Sequence, residues 1–144
     1  MSREVDIAEE VLAALNAAGL GFVARREYQP PVDKPAQPSY DVIIQPESLA
    51  EEGVLDRCRK TEETIAMMVD VFRTITATDA GYNRAEIDAA LDVCESIRDT
   101  LRRDKTVSAP WLAASQTPLY DPEELRENQV FHSSIVVRYR EIRS

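Results

Sequence analysis

Apolar and polar residues alternate most regularly near the end of the chain. Phe131, Ser133, Ile135, Val137 and Tyr139 interleave there with His132, Ser134, Val136, Arg138 and Arg140. This period of two, rich in β-branched and aromatic residues and free of Gly and Pro from Val130 to Ile142, predicts a strand. One face carries Phe, Ile, Val and Tyr and suits a core. The other carries His, Ser and two Arg and suits water or a partner, with Val136 the exception. A strand this long needs neighbours and an apolar layer over its inner face. The remaining elements are read as supplying them.

Arg3 to Ala18 predicts an amphipathic helix, with Val5, Ala8, Val11, Leu12 and Leu15 on one stripe and Glu4, Glu9 and Glu10 off it. Gly19 or Gly21 ends it, because glycine accepts the left-handed conformation. Phe22 to Tyr28 alternates loosely, as a strand with one wet face. Gln29 to Ser39 holds Pro30, Pro31, Pro35 and Pro38. Such a segment is extended and stays out of a ladder, either as a stiff surface crossing or as an arm that touches a neighbour. Tyr40 to Gln45 is a short strand stopped by Pro46. Glu47 to Lys60 is polar and acidic and predicts a long loop, with a helical turn around Ser48 to Glu52.

Thr61 to Thr76 returns to strand patterning, with Ile65, Met67, Val69 and Val71 alternating with Ala66, Met68, Asp70 and Phe72. Thr78 to Tyr82 is a turn around Gly81. Asn83 with Glu86 forms a capping-box start. Ile87, Ala90, Leu91, Cys94, Ile97, Arg98 and Leu101 then follow helical spacing up to the basic Arg102, Arg103 and Lys105. Val107 to Ala114, with Trp111, predicts a further strand, which Pro110 places at an edge or bulge. Pro118 to Asn128 is a polar connection in which Pro122 to Leu125 starts one helical turn. The order is α-β-β-β-α-β-β. Short polar links favour antiparallel pairing, so the fold expected is α+β: an antiparallel sheet of about four to five strands covered by two helices. Residues 1–144 form a single domain, with a Pro-rich arm at 29–39 and an acidic loop at 47–60.

Composition narrows the function classes. The 144 residues are 44% hydrophobic and 30% charged, as in a soluble globular domain. No apolar run approaches the ~20 residues of a membrane span, and the charged start MSREVDIAEE is not a secretory signal. With 17 basic against 26 acidic residues, the net charge of −9 is the wrong sign for gripping nucleic acid. An acidic lining would instead repel DNA, which suits a passage. Cys58 and Cys94 are isolated, so neither a disulfide framework nor a zinc site is suggested. Cys94 lies on the apolar stripe of its helix and reads as a buried, inert thiol.

Catalytic chemistry has little to build on. His132 is the only histidine, and its neighbour Ser133 points to the opposite face of the strand. No GxSxG elbow is present, so His132 reads as a strand-surface residue rather than a base. No glycine-rich phosphate loop and no EF-hand spacing occurs. The acid pairs Glu9-Glu10, Glu51-Glu52, Glu62-Glu63 and Glu123-Glu124 read as solvated charge. No catalytic, cofactor-binding or metal residue is assigned, and no cofactor is expected.

The order of elements resembles the tail-completion (tail-terminator) and neck proteins of long-tailed bacteriophages. The YDVIIQP strand, the IDAALDVCESIRDTLR helix, the segment PLYDPEELRENQVF and the terminal SSIVVRYR strand carry the likeness. The resemblance implies a structural virion protein and not an enzyme. Several copies, typically six, would form a ring that caps the tail tube and joins it to the head. The partners implied are further copies of the chain, the tail tube protein, and the connector of the head and neck. Genomic DNA would pass through the lumen without sequence-specific binding, and no membrane is involved. Assembly would take place in the host cytoplasm. The alternatives are a head-side connector and a small cytosolic enzyme or ligand-binding domain.

Overall fold

The computed structural model describes residues 2–29, 39–55, 60–77 and 83–143, with the backbone path alone for 51–55, 60 and 143. The fold is α+β, in the order α1 (Arg3–Ala17), β1 (Ala24–Arg26), β2 (Tyr40–Leu55), β3 (Lys60–Thr74), α2 (Arg84–Arg103), β4 (Trp111–Ser115), α3 (Pro122–Asn128) and β5 (Val130–Arg143). The strands lie side by side as β1-β2-β3-β5-β4 in one open sheet. The final strand is thus central, between β3 and β4. Its inner residues Phe131, Ser133, Ile135, Val137 and Tyr139 are all buried, as their alternation predicts.

Both long helices cover that inner face. Ile7, Ala8, Val11, Ala14 and Leu15 of α1 and Ile87, Ala90, Cys94, Ile97 and Leu101 of α2 join one apolar cluster with Val42, Ile44, Ile65, Met67, Val69, Val71, Ile135 and Val137. Local chemistry sets the helix ends. Ser2 Oγ accepts from Val5 N–H at 3.4 Å, and Asn83 Oδ1 accepts from Glu86 N–H at 3.2 Å. Gly19 follows α1 at φ 66°, a conformation that costs other residues free energy. Asn16 then takes the Ala24 N–H at 2.7 Å and donates to the Ala24 carbonyl, which holds β1 to the helix.

Several expectations change. First, the sheet is mixed: β1 pairs parallel with β2, because the long connection from Glu27 to Ser39 replaces the tight turn that an antiparallel neighbour needs. Second, β2 does not stop at Pro46. The 47–60 loop is replaced by strand at 47–55 and at Lys60, paired antiparallel with β3 as far as Leu55↔Lys60. Register shifts at Pro46/Ser48 and Glu51/Gly53 make Glu47 and Glu52 extra residues, so bulges absorb the irregular sequence. Pro46 is tolerated at the first bulge because no described strand pairs with the other edge of β2 beyond that point. Third, the buried stripe of α1 includes Ile7 and Ala14, while Val5 and Leu12 are only partly buried. Fourth, the connection before β5 is a third helix, α3, in which Asp121 caps the amides of Glu123 and Glu124 and Gln129 closes the end at φ 58°. The fourth strand begins at Trp111 rather than Val107, and it is an edge strand with a register shift at Leu112, as Pro110 implied. Residues 30–38 of the expected arm, residues 78–82 of the expected turn and residues 56–59 of the expected acidic loop lie outside the described residues.

Candidate functional site

The outer face of the sheet gathers a polar group from three strands. The register places Ser134 opposite Asp70 and His132 opposite Phe72, while Asp70 faces Ile43 of β2. Asp70 is buried, yet its carboxylate is well served. Its Oδ1 accepts from the Ser134 hydroxyl at 2.5 Å and lies 3.2 Å from His132 Nε2. Its Oδ2 accepts from Gln45 Nε2 at 3.0 Å. The His132 ring lies flat on Phe72, with centroids 4.2 Å apart and planes within 13°. His132 is therefore on the outer face, as its alternation predicts, but its side chain is only 28% exposed and tied to a carboxylate rather than solvated.

The geometry departs from a nucleophilic relay. A relay places the imidazole between acid and hydroxyl, with the hydroxyl proton directed at the ring. Here Ser134 and His132 converge on the same Asp70 oxygen, and the Ser134 oxygen is 3.4 Å from Nε2. The hydroxyl proton is directed at the carboxylate. The cluster serves as a polar cross-brace that satisfies Asp70 within an otherwise apolar run.

A shallow cleft of about 170 Å³ adjoins it, lined by Thr117, Pro118, Tyr120, Asp121, His132 and Ser134. Asp121 is committed to capping α3, and its own N–H donates to the His132 carbonyl at 2.9 Å. Among the described residues, no group of three His, Cys, Asp or Glu side chains stands close enough to hold a metal ion.

Cys94 is fully buried on α2, and burial pushes its thiol up to about 11 despite nearby Ser133 and Gln116. Gln116 donates to Ser133 Oγ at 2.7 Å, so the buried Ser133 hydroxyl on the inner face of β5 is satisfied. A more polar cleft opens between α2 and β4. It has about 470 Å³ and is lined by Glu95, Arg98, Asp99, Arg102, Trp111 and Ala114. Arg102 is held by Asp99 at 2.7 Å, whereas Arg98 makes no ion pair among the described residues and its Nε is buried without a hydrogen bond.

Sequence patterning singled out neither Asp70 nor Arg98 as an interaction site. Asp70 is the one charged residue in the run Met67–Phe72, and a lone carboxylate in an apolar strand is the signal that marks it. Arg98 stood on the apolar spacing of α2 only because helical neighbours at 3–4 positions share a face. No protein-family model matches the chain, and no curated protein matches it.

Proposed function

We propose that this chain is a structural subunit of a long-tailed bacteriophage virion, a tail terminator whose copies form a ring. The ring caps the tail tube, ends its growth and joins it to the connector of the head and neck. One observation carries most of the support. The three central strands β2, β3 and β5 run 16, 15 and 14 residues, against about five or six in an ordinary strand. Strands of this length build a broad sheet offering extended surface and edges. Extended surface suits large contacts between subunits, whereas small-molecule sites favour concave pockets. No helix among the described residues is long and apolar enough to cross a membrane.

Ring formation follows from a heterologous contact repeated around an axis, which closes when the rotation divides a full turn. Six copies, each with a net charge of −9, would surround the lumen with negative potential. That potential keeps a passing DNA duplex from adhering. The reading is tested by electron microscopy of particles from a phage whose gene for this chain is deleted. Tails of abnormal length and heads left unjoined are expected. Normal tails on full heads would overturn the reading, and normal tails beside unjoined heads would move the subunit to the head side.

A further inference from the structure

We infer that the chain binds a second copy of itself edge to edge, with β4 of one copy pairing antiparallel to residues 45–55 of β2 in the next. The inference deepens the ring reading by naming the surface that would close it. Both edges are open among the described residues. β4 pairs only with β5, and β1 reaches β2 only at Val42–Ile44, with one further bond from Glu27 N–H to the Ile44 carbonyl. Strand edges present unpaired N–H and C=O groups that invite another strand.

Direction and charge select the pairing. β2, β3, β5 and β4 are successively antiparallel, so β4 runs opposite to β2 within one copy. Rotation about an axis along the strands preserves strand direction. It therefore brings the next copy's β2 antiparallel to β4, with the outer faces on one side. Between the bulges at Glu47 and Glu52, Ser48–Glu51 is a regular stretch that matches the short β4.

Beside β4, Arg98 lacks an ionic partner among the described residues. Residues 45–55 carry three glutamates and no basic residue, and Glu47 is exposed. A neighbour's glutamate gives Arg98 the acceptor it lacks, as a charge-assisted hydrogen bond. Two-fold alternatives are disfavoured: β4 on β4 would bring Arg98 towards its own copy, and β2 on β2 would set glutamates against glutamates. Pro46 and the two bulges keep the β2 edge from pairing indiscriminately.

The test uses the purified full chain in a Cys58→Ser background. One preparation carries Ser48→Cys and the other Ala113→Cys, both at exposed positions. They are mixed with a short bismaleimide, which captures even a transient contact, and circular dichroism confirms that each variant is folded. A mixed dimer exceeding either homodimer is expected. Arg98→Glu in the Ala113→Cys partner should cut its yield about tenfold, and Glu47→Lys in the Ser48→Cys partner should restore it. Homodimers in excess, or no product above the level of a denatured control, would overturn the inference. A mixed dimer together with normal virions from the deletion phage would leave the self-contact standing and remove the virion role.

Discussion

Glu86 binds the backbone of Thr76 rather than that of its own helix cap. Its two carboxylate oxygens take the Thr76 N–H and hydroxyl at 2.7 Å each. Asn83 makes its half of the capping box, but the reciprocal half is redirected to the end of β3, tying strand to helix. These bonds, the backbone one first, hold the Glu86 carboxyl below its ordinary range. Because the folded value is depressed, its stabilising contribution is present above the unfolded carboxylate range and is lost as pH falls through the folded value. Glu86→Gln should cost roughly 1 kcal/mol at neutral pH, given the solvent around the site. The difference from wild type should shrink below about pH 4 in urea titrations.

The two faces of β5 should respond differently to truncation. Ile135 is fully buried in the main cluster, so Ile135→Ala should cost about 2–5 kcal/mol. Val136, on the partly exposed outer face, should cost less than about 1.5 kcal/mol as Val136→Ala. Equal losses in chemical denaturation would mean that both faces are covered alike.

Asp70 should matter more than His132. Asp70→Ala removes the acceptor shared by Gln45, Ser134 and His132 and should destabilise by about 1–3 kcal/mol. His132→Ala loses the Phe72 stack and one polar contact from a partly exposed site, and should cost less. The reverse order in thermal melts would give His132 a role beyond bracing.

Cys94 should resist alkylation in the folded protein. Its thiol is pushed up to about 11 by burial, so little thiolate exists at pH 8. In a Cys58→Ser background, iodoacetamide should modify Cys94 only at the rate at which the protein opens. The raised value also means that stability declines as pH rises from about 9 towards 11, where the unfolded thiol ionises first. Fast native labelling at pH 8 would show that the thiol is accessible.

Tyr139 is buried edge-on to Trp111, with ring centroids 5.9 Å apart, and its hydroxyl has no hydrogen-bond partner among the described residues. Burial pushes the phenol up, so it stays neutral. Tyr139→Phe keeps the ring and removes the unmet group, so the melting temperature should hold or rise. A loss above about 1 kcal/mol would reveal a bond to the hydroxyl.

The sequence by itself determined the elements whose signals are local. The alternation from Phe131 to Tyr139 fixed the buried face of β5, and helical spacing with Asn83 fixed the start and inner stripe of α2. Only the tertiary structure decided what depends on pairing between distant segments. Residues 47–55 are strand because β3 lies alongside. The extra residues Glu47 and Glu52 each shift the side-chain parity by one, which erases the period of two that patterning reads. The parallel placement of β1 depends on how the chain returns between Arg26 and Tyr40, which no local pattern records. The meeting of Asp70 with His132 and Ser134 likewise depends on the β3–β5 register, a relation across more than sixty positions of chain. Among the described residues, the open edge of β4 follows from strand order and that of β2 beyond Ile44 from the shortness of β1, which periodicity cannot encode because every strand repeats at two residues wherever it sits in the sheet.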